Sequence, residues 1–244
     1  MLKRLIDIVA SAVGLLFVLP VLLPVMFLVW RHDRHSPFYI APRVGKGGNV
    51  FRMVKLRSMS VNADSSGVDS TSGNDPRIIP IGRFIRRYKL DELTQLWNVL
   101  KGDMSLVGPR PNVKRETDLY TDKEQRLLSV KPGITDLASI VFSDEGDILK
   151  DKSDPDIAYN QLIRPWKSRL GLFYIDHGGI WLDARIIALT VLAVVSREKA
   201  LHGVMRILAK LHADEALQRV ARRRDPLIPA PPPGTTDIVL SREV

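Results

Sequence analysis

The apolar residues of this chain are concentrated near its beginning. From Ile8 to Trp30 the sequence IVASAVGLLFVLPVLLPVMFLVW contains no charged residue. At about 1.5 Å per residue, a straight helix of this length roughly matches the ~30 Å hydrocarbon core of a bilayer. The pattern therefore predicts a membrane segment. A cleavable signal peptide fits less well, because the apolar run is too long and no small-x-small cleavage site follows it.

Basic residues flank this segment on both sides, so the positive-inside rule gives it no clear orientation. Pro20 and Pro24 each remove a backbone donor and crowd the preceding turn, which favours a bend. Two paths follow: a re-entrant hairpin that enters and leaves by one face, or a transmembrane helix kinked at its prolines. The residues alone leave both paths open.

A strand-like pattern follows between residues 38 and 59. Two short apolar runs flank the turn Gly45-Lys46-Gly47-Gly48, which predicts a β-hairpin. The turn lacks the spacing of a phosphate-binding loop. Lys55 and Arg57 alternate with apolar neighbours and therefore share one strand face, where they contact either a phosphate or only solvent.

Two polar stretches interrupt the apolar pattern. Residues 62–75 are rich in Ser, Gly, Asp and Asn, which predicts a surface loop; a lid over a site is the less favoured alternative. Residues 143–156 are acid-rich but lack the residue order of a calcium-binding loop. We predict a loop there as well, and we assign no metal to it.

An amphipathic helix is predicted in the middle of the chain. Apolar residues recur at three- and four-residue spacing from Leu90 to Leu100, and Gly102 follows as a stop signal. Asp91 and Glu92 fall in the first turn, where free backbone amides favour carboxylates. Helix capping alone would explain both acids.

Basic residues on both sides of this helix indicate more than capping. Four of them precede the carboxylates: Arg83, Arg86, Arg87 and Lys89. Arg110 follows in the rigid loop Gly108-Pro109-Arg110-Pro111. Adjacent carboxylates can share a divalent ion while cations hold phosphate oxygens, as phosphoryl transfer requires. The combination predicts chemistry at a lipid surface on a soluble phosphorylated substrate.

Composition narrows the range of functions. The 244 residues are 45% apolar, which is enough for a packed core and excludes disorder of the whole chain. The absence of cysteine excludes a disulfide framework, a thiolate metal site and a cysteine nucleophile. The formal net charge of +9 predicts an anionic partner, which could be nucleic acid, a lipid surface or a phosphorylated substrate.

Four blocks of the sequence form a specific set: KRLIDIVAS, PRVGKGGNVFRMVKLRSM, DPRIIPIGRFIRRYKLDELTQLWNVLKGDMSLVGPRP and KPGIT. Through these blocks, residues 2–196 resemble the bacterial sugar transferases, the monotopic polyprenyl-phosphate phosphoglycosyl transferases that start glycan assembly. The resemblance implies a mixed α/β, largely helical fold with an N-terminal re-entrant helix-break-helix and a small β-hairpin. It also implies a place on the cytoplasmic face of the cell inner membrane, where nucleotide sugars are found.

The resemblance further implies a two-step reaction. Asp91 would attack the sugar-bearing phosphate of a UDP-sugar and release UMP, and polyprenyl (undecaprenyl) phosphate would then accept the phosphosugar. The product, polyprenyl-diphosphate-sugar, begins polysaccharide or glycoconjugate synthesis. Glu92 would hold Mg²⁺ together with Asp91, or help to activate the incoming phosphate. The implied phosphate-binding residues are Arg86, Arg110, Lys55 and Arg57.

Two positions depart from the family's pattern. Leu19 stands where the family commonly has a serine before the kink proline, whose hydroxyl can satisfy a freed carbonyl, so we expect a differently shaped bend. Asp136-Leu137-Ala138 replaces the family's small-Trp-Ala stretch after Pro-Gly-Ile-Thr. The identity of the sugar is therefore not carried over.

We divide the chain into a membrane hairpin (1–35), a catalytic domain (36–196), a basic amphipathic helix (197–224) and a disordered Pro-rich tail (225–244). The stretch IIALTVLAVVS before Arg197 is too short to span a bilayer, which predicts a core or interfacial helix. The basic helix is expected either to lie on anionic lipid or to pack against a second subunit of a homodimer.

Two other functions fit parts of the sequence. A non-enzymatic membrane scaffold would bind anionic lipid or nucleic acid through its basic surface, and neutralising Asp91 would leave it unchanged. A membrane phosphatase would release free phosphate or a lipid alcohol instead of a nucleoside monophosphate. Under the transferase interpretation, nucleic acid is not an expected partner.

Overall fold

The computed structural model describes residues 1–63 and 75–241. Nearly all of the polar loop predicted at 62–75, with its alternative as a lid, falls outside the described residues. The described chain is largely helical, with one antiparallel and one parallel pair of strands, as expected for the predicted mixed α/β class.

The apolar beginning of the chain forms one helix, α1 (Leu2–Asp33). Its 32 residues make a helix about 48 Å long. The predicted helix-break-helix is not observed, because α1 continues through Pro20 and Pro24. Each proline removes one backbone hydrogen bond, and the bonds of the neighbouring turns maintain the helix. The helix ends at Arg34, which has the left-handed φ of 60°.

Most of α1 faces away from the rest of the chain. The helix is long and apolar enough to cross a membrane, and its most apolar window is only 17% buried. Leu16 and Phe17 are 69% and 79% exposed. One side of its second half packs on the domain through Leu22, Val25 and Val29, which meet Leu56, Ile85 and Leu90.

The predicted hairpin is confirmed. Strands β1 (Phe38–Val44) and β2 (Val50–Leu56) pair antiparallel, with Phe38 opposite Leu56. A 3₁₀ turn at Lys46–Gly48 joins them. Gly47 and Gly48 have φ values of 69° and 80°, a left-handed conformation that glycine adopts without steric cost.

The predicted helix from Leu90 to Leu100 is divided in two. The elements of this region are α2 (Pro80–Arg87), α3 (Leu90–Leu93) and α4 (Leu96–Lys101). At the junction of α3 and α4, the N–H of Gln95 donates to the carbonyl of Glu92, the tighter i→i+3 spacing of a 3₁₀ turn. Thr94 attaches this junction to β2 by donating to the Val54 carbonyl at 3.1 Å. The predicted stop at Gly102 is confirmed.

The remaining elements form the larger part of the molecule. Two short strands pair in parallel, β3 (Ser105–Val107) and β4 (Gly133–Thr135). The helices are α5 (Lys114–Thr117), α6 (Asp122–Gln125), α7 (Leu137–Val141), α8 (Glu145–Ile148), α9 (Pro155–Leu162), α10 (Arg164–His177), α11 (Ile180–Val195), α12 (Arg197–Lys210) and α13 (Glu215–Arg222). A 3₁₀ helix, Arg126–Ser129, follows α6.

The acid-rich stretch predicted as a loop at 143–156 contains α8 and the start of α9. Its acidic residues support helices instead of only facing solvent. Asp154 caps α9 by accepting from the N–H groups of Asp156 and Ile157 at 3.0 and 3.1 Å. The sequence pattern was too short and too polar to show these helices by periodicity.

The largest apolar core lies among α7 and α9–α13. Residues 197–224, predicted as one amphipathic helix, form α12 and α13. The inner side of α12 is fully buried in this core at Ala200, Val204 and Leu208. Its apolar side is therefore covered by this chain itself, whereas we expected lipid or a second subunit to cover it.

Helix α11 has both a core side and an exposed side. Leu182 and Ile186 are 7% and 0% exposed, whereas Trp181 and Val195 are each 84% exposed. The predicted core environment is therefore confirmed for one side of α11, and the other side is exposed.

Residues 225–241, part of the segment predicted as a disordered tail, form no helix or strand. They nevertheless lie along α9 and α10. The N–H of Ala230 donates to the Gln161 carbonyl at 3.0 Å, and the Gln161 side chain donates to the Val239 carbonyl at 2.7 Å. The part of the tail that the structure describes thus contacts the domain through hydrogen bonds, which its Pro-rich composition did not predict.

Candidate active site

A cleft of about 1840 Å³ opens between the hairpin, α2–α3 and the wall formed by α7 and α8. The six residues predicted for catalysis or phosphate binding all line it: Lys55, Arg57, Arg86, Asp91, Glu92 and Arg110. The hairpin supplies the lysine, the start of α3 supplies the carboxylates, and the loop after β3 supplies Arg110. The fold thus brings together groups that are separate in the sequence.

The carboxylates of Asp91 and Glu92 do not cap α3. The N-cap position is Lys89, in the left-handed conformation at φ 56°, and no side chain makes a cap hydrogen bond. The Oδ1 atom of Asp91 is buried and has no hydrogen-bond partner among the described residues. A buried polar atom without a partner costs free energy, so helix capping does not explain this residue.

Glu92 and Arg110 form an ion pair, with Arg110 Nη2 donating to Glu92 Oε1 at 2.8 Å. Burial opposes the charge of Glu92, but the attraction of Arg110, followed by Lys89 and Lys55, outweighs it and holds the pKa of Glu92 at about 2. Glu92 in turn raises the pKa of Arg110. The pair is therefore ionised at neutral pH.

The pKa of Asp91 is raised and the pKa of Lys55 is lowered from their ordinary values. Burial raises the pKa of Asp91, the nearby Lys55 opposes this change, and Glu92 adds to it. Burial and the charge of Arg110 lower the pKa of Lys55 to about 8, against the pull of both carboxylates. Strongly perturbed groups that share one cleft are typical of functional sites.

The contacts described for Arg57 and Arg86 are with residues other than the two carboxylates. Arg57 donates to both oxygens of Asp33 at 2.6 and 2.7 Å and to the Ser36 carbonyl at 2.8 Å. This guanidinium therefore holds the end of α1 against β2. Arg86 lines the cleft from α2, and its charge acts on Asp75.

Sequence reasoning missed the wall opposite α3. Lys167 of α10 donates through Nζ to Oε2 of Glu145 in α8, and both residues line the cleft. The ammonium also lies 5.2 Å from the centre of the Tyr159 ring. No local pattern marks this pair, because its members are 22 residues apart and meet only in the folded chain.

The first two turns of α1 contact the elements that flank the carboxylates. Arg4 donates to the last carbonyls of α4, those of Val99 and Leu100. Asp7 accepts from the Ser105 hydroxyl at 2.9 Å and from the next backbone N–H at 3.1 Å. These contacts join α4 to β3, the strand that leads into the Arg110 loop.

Lys3 extends this connection toward α10 and α11. Its ammonium donates to the Val107 carbonyl at 3.2 Å and forms an ion pair with Asp183. Tyr174 donates to the same aspartate at 2.6 Å. The N-terminal end of the apolar helix is thus bound to the framework of the cleft.

The side chains that line the cleft could supply some of the ligands that Mg²⁺ needs. Among the described residues, no group of three or more His, Cys, Asp or Glu side chains could hold a metal ion. Mg²⁺ in phosphoryl-transfer sites is commonly held by one or two carboxylates together with phosphate oxygens and water. Asp91 and Glu92 provide such carboxylates, and Asp91 Oδ1, which has no hydrogen-bond partner in the described part of the chain, is a fitting ligand atom.

These features define a cleft of carboxylates and cations suited to a phosphorylated ligand, on a chain with an apolar helix long enough to cross a membrane. The family model for bacterial sugar transferases matches residues 1–197, and the chain belongs to this family.

Curated relatives differ in how much of their length the chain covers. The galactosyl transferase CpsE of Streptococcus agalactiae serotype III (strain NEM316) is 38% identical over 206 residues, 79% of this chain and 42% of that protein. The UDP-glucose:undecaprenyl-phosphate glucose-1-phosphate transferase of Klebsiella pneumoniae is 37% identical over 193 residues, 78% of this chain and 39% of that protein.

The sugar transferase EpsL of Bacillus subtilis (strain 168) is 38% identical over 198 residues, 81% of this chain and 89% of that protein. The chain therefore spans about two fifths of the first two relatives and most of the third.

Proposed function

We propose that this protein transfers a sugar-1-phosphate from a UDP-sugar to polyprenyl phosphate, releasing UMP and forming polyprenyl-diphosphate-sugar. Family membership and the name of the Klebsiella pneumoniae relative support this type of reaction. One observation carries the proposal: Asp91, whose buried Oδ1 has no hydrogen-bond partner among the described residues, lines the same cleft as the Glu92–Arg110 ion pair and Lys55. A scaffold that only binds anionic lipid does not need such an oxygen.

The proposed first step is an attack by a carboxylate oxygen of Asp91 on the phosphorus that carries the sugar. The bond from this phosphorus to the bridging oxygen breaks, and UMP leaves with that oxygen and its electron pair. In the second step, an oxygen of polyprenyl phosphate attacks the same phosphorus. The bond to Asp91 breaks, which regenerates the carboxylate.

The cations of the cleft neutralise the diphosphate during both steps. A guanidinium has five N–H donors, so the bond from Arg110 to Glu92 leaves donors for phosphate oxygens. Lys55 adds a charge beside the same carboxylates, and Arg86, which also lines the cleft, would contact a more distant phosphate. Asp91 and Glu92 would hold Mg²⁺, which supplies further charge neutralisation to the diphosphate when bound.

The test is UMP release from a panel of UDP-sugars, with Mg²⁺ and polyprenyl phosphate, by the unchanged protein and by Asp91→Asn. We expect release with at least one donor and its loss in the variant. Asp118→Asn is the matched control, because this aspartate is 56% exposed and does not line the cleft. Equal activity of all three proteins would contradict the role of Asp91, and release of inorganic phosphate in place of UMP would favour a phosphatase.

The covalent step has its own test. Without polyprenyl phosphate, the unchanged protein should release about one UMP per active site and then stop. Mass spectrometry should find a phosphosugar on the peptide that contains Asp91. UMP release that strictly requires polyprenyl phosphate, with an unmodified peptide, would indicate direct transfer between the two substrates instead.

We further propose that α1 enters and leaves the membrane by one face, on the cytoplasmic side of the inner membrane. Arg4 and Asp7 contact α4 and β3, while Asp33 at the other end pairs with Arg57. Both ends of the helix therefore contact one domain, which is difficult to reconcile with ends on opposite sides of a bilayer. The exposed apolar side between them would enter the lipid, with any bend occurring inside a continuous helix.

Topology can be measured by cysteine labelling, because the natural chain contains no cysteine. Leu2→Cys and His32→Cys place one thiol near each end of α1 at exposed positions. A membrane-impermeant thiol reagent applied to oriented vesicles should modify both variants from the same side. Modification from opposite sides would instead support a spanning helix.

A further inference from the structure

We propose that Glu145 and Lys167 bind the sugar of the donor by hydrogen bonds to its hydroxyl groups, an inference that rests on the proposed function. Both side chains line the cleft that contains Asp91 and Arg110. The charge of Arg110 acts on Glu145, so this pair lies within electrostatic range of the phosphate-binding cations. A sugar joined to a phosphate near Arg110 would reach this wall.

The chemistry of the pair suits a neutral ligand better than a phosphate. Lys167 and Glu145 form an ion pair, so together they carry no net charge. A phosphate requires an excess of positive charge, which the cleft has around Arg110 and Lys55. A carboxylate accepts from a hydroxyl group and an ammonium donates to one, so the two together match neighbouring hydroxyl groups of a sugar.

The Lys167–Glu145 pair is accessible from the cleft. The side chains of Lys167 and Glu145 are 19% and 33% exposed. The Tyr159 ring supports the ammonium from one side at 5.2 Å. Desolvation of Glu145 acts to raise its pKa, but the attraction of Lys167 and their hydrogen bond outweigh this and lower the pKa of Glu145. An accessible pair with a fixed geometry can discriminate among hydroxyl arrangements, because a misplaced hydroxyl leaves a charged group without its hydrogen bond.

Hydroxyl side chains line the same cleft. Thr135, Ser139 and Thr190 all line it. The Thr135 hydroxyl lies 2.6 Å from that of Thr190 and 3.1 Å from that of Ser139. Asp136 fixes this arrangement by accepting from the Ser139 N–H at 2.6 Å. The stretch that departs from the family's pattern therefore supports the wall assigned to the sugar.

The two C-terminal helices fix the position of this wall. Asp144, next to Glu145, pairs with Arg197 at 2.8 Å and with Arg223 at 3.0 Å. The Arg223 guanidinium also lies 5.5 Å from the Phe142 ring centre. Because the family match ends at residue 197, Arg223 is a contribution of this chain outside the family model.

The test compares the preferred UDP-sugar with its derivatives that each lack one hydroxyl, using the unchanged protein and Glu145→Gln. For at least one position, the unchanged protein should lose about tenfold or more in kcat/KM when the hydroxyl is removed. Glu145→Gln should lose less than about twofold for the same removal, because the hydroxyl no longer meets a carboxylate. The affinity for UMP, which has no sugar beyond its ribose, should stay the same in both.

Lys167→Gln is measured in parallel, so that the result does not depend on the folding of one variant. Glu215→Gln is the matched control, since its side chain is 89% exposed and does not line the cleft. Variants that lose the same factor with every donor would overturn the sugar subsite while leaving the proposed function in place. An unchanged protein that releases no UMP from any donor would overturn both.

Discussion

Two glutamate–arginine pairs in this molecule have nearly the same length and very different surroundings. Glu92–Arg110 is 2.8 Å long, and Glu124–Arg164 is 2.7 Å long. The second pair is closed to solvent, with side chains 0% and 5% exposed, whereas the first is 16% and 35% exposed and lines the cleft.

Hydrogen bonding separates the two pairs further. Glu124 also accepts from the Ser168 hydroxyl at 2.6 Å and from the Thr121 N–H at 3.1 Å, and Arg164 donates to the Leu119 carbonyl at 2.6 Å. The first pair lies beside Asp91, whose Oδ1 has no partner among the described residues. A buried network whose polar atoms have hydrogen-bond partners stabilises the fold. A network that contains an acceptor without a partner can bind a ligand through that acceptor.

The largest effect on activity is expected at Asp91, beside the Glu92–Arg110 pair. Asp91→Asn should lower UMP release roughly 10⁴-fold or more, because it removes the nucleophile. Its melting temperature should stay the same or rise, since the substitution removes a poorly satisfied buried charge. Activity assays and thermal unfolding of the same preparation check both parts. A large fall in melting temperature would mean that Asp91 has a structural role like that of Glu124.

At the solvent-excluded Glu124–Arg164 pair we expect a large effect on stability and little effect on activity. Glu124→Gln should lower the free energy of unfolding by about 3 to 5 kcal/mol, because it leaves Arg164 buried without its counter-charge. The protein that remains folded should keep its kcat. Thermal unfolding, with activity measured well below the transition, tests this prediction. An unchanged melting temperature would contradict the structural role of the closed pair.

A conservative change in the first pair should have an intermediate effect. Arg110→Lys keeps the charge but loses the guanidinium fork that bonds Glu92 and still has donors for phosphate. We expect kcat/KM to fall about 100-fold, with little change in stability. Arg126→Lys is the matched control, because its pair with Asp176 is about half exposed. Equal activity of both variants would remove Arg110 from the phosphate site.

The smallest effect concerns pH. Lys55 has a pKa of about 8, lowered by burial and by Arg110, so it loses its charge as the pH rises through 8. Donor KM should then rise about tenfold per pH unit above 8. The same pKa shift weakens donor binding above pH 8 but should raise the free energy of unfolding. Between pH 8 and the ordinary lysine pKa of 10.5 the unfolded chain binds the extra proton, so the Lys55 contribution favours folding increasingly as pH rises.

Lys55→Arg sharpens this prediction, because a guanidinium remains charged throughout that range. The rise in KM above pH 8 should disappear in the variant. If the pH profile of the variant matches that of the unchanged protein, another group controls it.

The sequence was sufficient for those parts of the site that depend on local spacing. Adjacent carboxylates at a helix start, and an arginine in a proline-bounded loop shortly afterwards, predicted the Asp91–Glu92–Arg110 cluster. The hairpin followed from its glycine turn. Glu145 and Lys167 could not be predicted in this way, because they are 22 residues apart and meet only in the folded chain.

Two errors have a common physical cause. The family resemblance, with Pro20 and Pro24 as the bend, implied a break in α1, but the neighbouring turns keep that helix continuous. The apolar side of α12 predicted a lipid or subunit contact, but amphipathic spacing shows only that a side is covered and not by what. Local patterns define the preferences of a segment, and the rest of the fold decides which partner satisfies them.

The contacts of Lys3, Arg4 and Asp7 have a practical consequence for handling this protein. A truncated protein that lacks residues 1–33, prepared to increase its solubility in water, would lose the hydrogen bonds through which α1 joins α4 to β3. It would also uncover Leu56, Ile85 and Leu90. Purification should therefore retain the apolar helix in detergent or lipid nanodiscs. A detergent that displaces this helix from the domain should inactivate the protein even though it leaves every cleft residue in the chain.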